Sequence, residues 1–142
     1  MPHFKNREDL YGVHRALFER FQADPAIGPA LARSGLVLAF KVSDPDGLIA
    51  IDGRAAGGGS GAPFTFIFGE TGLVPDLTLI APADLILEFW QGKTNIVSAI
   101  VAGKIRSAGN IGAAMKLMPA LKAIVDLSVR VLLDIGRGDL VV

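Results

Sequence analysis

Cysteine is absent from this 142-residue chain, which excludes disulfides and thiolate metal sites. Histidine is scarce: His3 and His14 stand alone, and nothing around them offers the spacing of a metal site. Net charge is also lacking. Fourteen basic residues balance fourteen acidic ones, so no global field draws nucleic acid or anionic lipid, and no nucleic-acid partner is expected. No uncharged run of eighteen residues occurs, and the opening MPHFKNREDLYG lacks the apolar stretch of a signal peptide. A soluble, cytoplasmic protein is the expectation.

What is present is apolar. Hydrophobic residues make up 51% of the chain and charged residues only 20%, and the mean hydropathy is +0.46. The length predicts one domain, residues 1–142, large enough to bury roughly 68% of the surface its unfolded form exposes. Apolar excess on this scale faces a ligand cavity, a partner subunit or a membrane surface.

Leu10, Val13, Leu17, Phe18 and Phe21 fall at helical spacing, with Glu8 and Asp9 in the first turn, which predicts a helix over 6–21. Asp24-Pro25 reads as the start of a short second helix ending at Gly35. Beyond it the period becomes that of strands: Leu36–Val42, Leu48–Arg54, Phe64–Phe68 and Asp76–Ile80, the first two forming an antiparallel hairpin. The run Ala55–Pro63 (AAGGGSGAP) reads as a loose connection. Helical spacing returns through Leu85, Ile86, Phe89 and Trp90, with Gly92 as a C-cap, and again over Asn95–Ala102.

The stretch Ala99–Leu117 (AIVAGKIRSAGNIGAAMKL) predicts a buried edge strand, Lys104–Ala108, set against the start of an apolar helix, with Gly103, Gly109 and Gly112 at bends. From Ile111 to Ile135 the charges Lys122, Asp126, Arg130 and Asp134 recur every four residues, a narrow stripe on an otherwise apolar helix that Pro119 starts anew or kinks. Val125, Leu127, Val129, Val131, Leu133 and Ile135 also alternate as a strand would. Helix is favoured by the charge stripe and by the composition of the preceding residues.

Polar motifs give little chemistry. The glycines of Gly57–Gly61 are followed by Pro63 and a strand, whereas a phosphate loop opens a helix. Ser60 lacks a nucleophile elbow, and His14 is expected at the surface or half-buried. Asp84 and Glu88, four apart on one helix, suit acid–base work or plain solvation, and solvation is favoured. Arg137-Gly138-Asp139 is read as a chance tail sequence. No catalytic set, metal or cofactor is predicted. What remains is an apolar constellation, Phe89, Trp90, Ile96, Ile100, Val101, Ile105, Ile111, Met115 and Met118. Helices with so little polar face, ending in two unbranched methionines, suit an adaptable lipid-binding cavity.

Several of these residues also carry a family likeness. Gly92-Lys93, Asn95, Ala99, Gly103-Lys104, Gly109-Asn110, Gly112 and Ala114-Met115-Lys116-Leu117, with the strands Ala39-Phe40-Lys41-Val42 and Asp76-Leu77-Thr78-Leu79, resemble the sterol carrier protein type two domain. The resemblance covers about residues 15–118. It implies an α+β fold: a five-stranded, mostly antiparallel sheet covered on one side by helices, with a hydrophobic tunnel between. It implies non-covalent binding of sterols, fatty acids, acyl-CoA and phospholipids. Two departures stand out. Ile100-Val101-Ala102 occupies the place before Gly103-Lys104 where the family often has an aromatic pair and glutamine, and the apolar helical extension 119–135 has no equivalent in the family's short forms.

The function expected is therefore binding, with transfer, of an apolar lipid ligand. The alternative is an interaction module that docks on a partner enzyme or forms a homodimer through 119–135, a segment that also suits transient membrane contact. An enzyme acting on an acyl thioester is the weakest reading, lacking a convergent nucleophile, base and oxyanion donor.

Overall fold

The computed structural model describes residues 3–54 and 63–142; the Gly57–Gly61 run, Ser60 and the connection expected over Ala55–Pro63 lie outside these residues, except Pro63. Helix α1 (Arg7–Ala23) begins where the Asn6 side chain accepts from the Asp9 N–H, leaving Glu8 and Asp9 at the positive end of the helix. Helix α2 (Ile27–Ser34) follows two residues later than Pro25 because the Asp24 carboxylate reaches past the proline to accept from the N–H groups of Ala26 and Ile27. The chain then enters β1 (Val37–Ser43), β2 (Gly47–Asp52), β3 (Thr65–Phe68) and β4 (Leu77–Pro82), two helices α3 (Ala83–Trp90) and α4 (Ile96–Val101), and β5 (Arg106–Gly109). A 3-10 segment, Ile111–Ala120, leads into α5 (Leu121–Asp134).

The five strands form one sheet in the order β3-β2-β1-β4-β5. Three of its four pairings are antiparallel and β1 with β4 is parallel. Cross-strand register sets two continuous rows on the helix-covered face: Phe66, Ile51, Leu38, Leu77, Gly109 and Phe68, Ile49, Phe40, Leu79, Ser107. The row between them, on the opposite face, runs Ile67, Ala50, Ala39, Thr78, Ala108. A slip of one residue would exchange these faces, so the alternation of bulky and small side chains holds the register.

β5 departs from the buried edge expected. All four of its residues are exposed, because Arg106-Ser107-Ala108-Gly109 has no large apolar side chain to bury and a short charged edge resists pairing with other chains. Gly109 matters for another reason. It has φ +104, and a Cβ there would collide with the Asp76 carbonyl, beside which the Asn110 N–H donates to the same oxygen at 2.9 Å.

The alternation that allowed a strand over 125–135 is overridden by packing. Ile124, Ser128, Val131 and Leu132 turn inward along α5, whereas Lys122, Asp126, Arg130 and Asp134 are all exposed. The helix lies against α1, α2 and α3. Pro119 falls inside the 3-10 segment, just before α5 starts.

His14 is not at the surface. It has no exposed area, because α1 turns it toward α3 between Phe4 and Phe18. Arg137-Gly138-Asp139 is tied into the fold: the Arg137 guanidinium, only 19% exposed, pairs with Asp9 at the start of α1 and with Asp139. The Gln91 side chain donates to the Leu140 carbonyl and accepts from the Val142 N–H, so the end of the chain is held on α3. Among the described residues no helix is long and apolar enough to cross a membrane.

Candidate functional site

Between the sheet and the helices lies an apolar cavity of about 270 Å³. Its floor is the sheet: Leu38, Phe40, Ile51, Leu77 and Leu79, brought together by the register of β1, β2 and β4. Phe21 and Leu31 close one side from α1 and α2, and Leu121 and Ile124 of α5 close another. Phe89, Trp90, Ile96, Val97, Ile111, Met115 and Met118 form the remaining wall. The polar side chains in the lining are Thr94 and Asn95, both in the turn between α3 and α4.

Of the nine residues read from the sequence as lipid contacts, the structure gathers six on this wall and leaves three off it. Ile100 packs against the core, Ile105 is buried elsewhere, and Val101 is 85% exposed. The cause is the shortness of α4. Six residues turn one narrow side inward, where Ala99 is buried, and leave Val101, at the last position of the helix, pointing out to solvent. Ile105 follows the glycine that ends α4, and its N–H bonds back to the Ala99 carbonyl at 3.2 Å, which folds it into the core. The sheet floor was missed. Alternation showed that Leu38 and Phe40 share a face, but only strand register shows that this face meets the helices.

The Gly-Lys pairs have a geometric explanation. Gly92 (φ +74) and Gly103 (φ +77) follow α3 and α4 in the left-handed conformation that costs other residues strain. In each case two N–H groups then close the last turn: Gly92 to Phe89 O and Lys93 to Glu88 O, Gly103 to Ile100 O and Lys104 to Ala99 O, all within 3.1 Å. Each lysine thereby stands at a helix C-terminus, where the dipole favours a cation. The aromatic pair and glutamine missing before Gly103-Lys104 stand instead before Gly92-Lys93, as Phe89-Trp90-Gln91.

Trp90 organises the inner wall. It is 4% exposed and its ring lies 5.1 to 5.8 Å from those of Phe18, Phe21, Phe40 and Phe89. Its Nε1–H donates to His14 Nε2 at 3.0 Å, and His14 Nδ1 lies 2.8 Å from the Leu10 carbonyl. Indole can only donate and a carbonyl can only accept, so the imidazole is neutral with its proton on Nδ1. Burial agrees, pushing the His14 pKa down to about 4. Asp84 and Glu88 lie off the cavity: Asp84 accepts from the His3 N–H at 2.9 Å, and Glu88 borders a separate polar cleft.

Residues 15–122 match the SCP-2 sterol transfer family. The sterol carrier protein domain 2 of Helicoverpa armigera is 26% identical, with a TM-score of 0.59 over 79% of this chain and 84% of that one. A conserved hypothetical protein of Thermus thermophilus superposes with a TM-score of 0.61 at 20% identity, over 84% and 86% of the two chains. A UbiJ-SCP2 ubiquinone synthesis protein gives 0.58 at 21% identity, over 84% and 94%. Among curated proteins no sequence match is found.

Proposed function

The chain belongs to the SCP-2 sterol transfer family, and from that premise we propose that it binds and transfers lipids, of the fatty acid, acyl-CoA or sterol-like kind, in its apolar cavity without covalent chemistry. The observation that carries the reading is the lining, which is apolar from sheet and helices alike apart from Thr94 and Asn95. Burial of each ligand methylene there contributes about 0.8 kcal/mol. Specificity by chain length is correspondingly weak, since one methylene changes affinity little.

The cavity lies just under the ~300–1,000 Å³ usual for ligand sites. As it stands it suits one acyl chain, and a sterol body requires outward movement of the rim. Met115 and Met118, 58% and 51% exposed, are suited to that movement, being unbranched and held only on the inner side. On this reading residues 1–142 act as one lipid-binding domain, with α5 as a wall of the cavity through Leu121 and Ile124. The alternative, docking or dimerisation through 119–135, has less to stand on: the apolar face of α5 is already turned inward, which leaves Leu133 and, just past the helix, Ile135 as the exposed large apolar side chains there.

Trp90 is the sole tryptophan and lies in the lining, so it reports occupancy directly. After delipidation, titration with a fluorescent fatty acid or sterol is expected to quench Trp90 saturably. Met118→Trp, placed at the rim, is expected to reduce affinity about tenfold or more by filling the entrance. Absence of saturable binding for every such probe overturns the proposal.

A further inference from the structure

Thr94 and Asn95, the polar side chains in the lining of the apolar cavity, also border a second cleft, of about 380 Å³. This cleft lies around the turns that enter and leave α4, and Glu88, Lys93, Ser98 and Lys104 give it its charged groups and a further hydroxyl. Both lysines leave the chain at fixed points: the Lys93 N–H donates to the Glu88 carbonyl and the Lys104 N–H to the Ala99 carbonyl, each at 2.9 Å. Among the described residues neither ammonium group has an ion-pair partner. The cleft thus sets two cations against one carboxylate. Its neutral side chains add donors. Asn95 Oδ1 is taken by the Ser98 N–H at 2.9 Å, which leaves the amide N–H groups of Asn95, with the Thr94 and Ser98 hydroxyls, to meet a ligand.

We propose that this cleft is the head-group site of the cavity, and that the ligand is a single acyl chain ending in a compact anionic group, a carboxylate or a phosphate. The inference rests on the lipid-binding function proposed above and adds to it the choice of head. The chain lies in the apolar cavity and the head passes Thr94 and Asn95 into the cleft, so that one molecule spans both. A carboxylate or phosphate only accepts hydrogen bonds and brings the charge that Lys93 and Lys104 lack, which is what a donor-rich cleft with excess positive charge matches. A sterol fits less well, because its one neutral hydroxyl leaves both ammonium groups unpaired. A choline head fits less well too, since it sets a third cation against the two lysines.

The test is titration of the delipidated full chain, followed by Trp90 fluorescence, with palmitate, hexadecyl phosphate, hexadecanol and cholesterol. Palmitate and hexadecyl phosphate are expected to bind about tenfold tighter than hexadecanol, which has the same chain without the charge. High salt is expected to weaken the two anionic ligands and leave hexadecanol unchanged. The double variant Lys93→Gln, Lys104→Gln should lose the preference, and arginine at both positions should restore it. Glu88→Gln removes the opposing charge and is expected to tighten the anionic ligands about twofold. Thermal unfolding of each variant separates a lost head-group site from a lost fold, and the preference and its salt dependence are read on the native chain. The tighter of the two anionic ligands identifies the head as carboxylate or phosphate. Hexadecanol or cholesterol binding as tightly as the anionic ligands, or a preference untouched by the lysine substitutions in a folded variant, overturns the head-group site and leaves the lipid-binding function standing. Binding of none of the four refutes both.

Discussion

Protonation of His14 is expected to loosen the junction between α1 and the cavity wall, and its cost follows from the hydrogen bonds. Nε2 already accepts from Trp90, so a proton placed there confronts one N–H with another and strands the indole donor in an interior ringed by Phe4 and Phe18. Burial holds the folded pKa at about 4, against 6.5 for the exposed group. Below 6.5 the unfolded chain therefore binds a proton that the folded chain refuses, and stability falls with falling pH until the folded pKa is reached. A gap of this size corresponds to about 3 kcal/mol between pH 7 and pH 4. The carboxylates held below their usual value, Asp9, Asp52 and Asp139, contribute mainly below 3.8, outside this window. Urea unfolding at pH 7, 6, 5 and 4.5 measures the slope, and an NMR titration of the imidazole measures the pKa. His14→Phe should be less stable than the native chain at pH 7 by about 1–3 kcal/mol, through the orphaned indole donor, and should lose most of the slope from 6.5 to 4. A native His14 that titrates near 6.5, or a slope that survives the substitution, refutes the reasoning.

Arg137→Ala removes the partner of Asp9, whose side chain is only 16% exposed. Burial alone would raise the Asp9 pKa, and it is the hydrogen bond and charge of Arg137, with the Lys5 N–H, that keep it lowered. The variant is expected to lose about 2 kcal/mol in urea unfolding at pH 7, with the Asp9 carboxyl titrating higher by NMR. Gly103→Ala forces a side chain into φ +77 and is expected to cost about 1–2 kcal/mol by the same measurement. Gly109→Ala should cost more than Gly103→Ala, since the obstacle at Gly109 is the Asp76 backbone whereas Gly103 faces open space.

Local order was largely legible. The acidic first turn of α1, the glycine after α2, Gly92 at the end of α3 and the charge stripe of α5 all act over a few residues of neighbouring chain, and each reads correctly without the fold. Legibility failed where burial depends on distant partners. His14 sits among apolar residues of α1, yet only the approach of α3, 76 positions away, supplies the indole that makes its burial tolerable. Arg137 acquires its role from Asp9, 128 positions away. β5 lies at the sheet edge as expected, and only its burial was misjudged, although the lack of large apolar side chains in Arg106–Gly109 was visible in the sequence.

By itself, the sequence determined the order of helices and strands, apart from the 3-10 form of Ile111–Ala120 and the choice of helix over strand at 125–135, together with the excess of apolar surface over any catalytic constellation and a resemblance strong enough to name the family. Those are consequences of periodicity, composition and short-range capping. Tertiary structure decided which apolar residues meet. Register set Leu38, Phe40, Ile51, Leu77 and Leu79 beneath the helices as a cavity floor, and the six-residue length of α4 turned Val101 out of the wall and onto the surface. It also set Lys93 and Lys104 on a cleft that shares Thr94 and Asn95 with the cavity, in a chain whose net charge is zero. A sum over residues holds no information about which face they share.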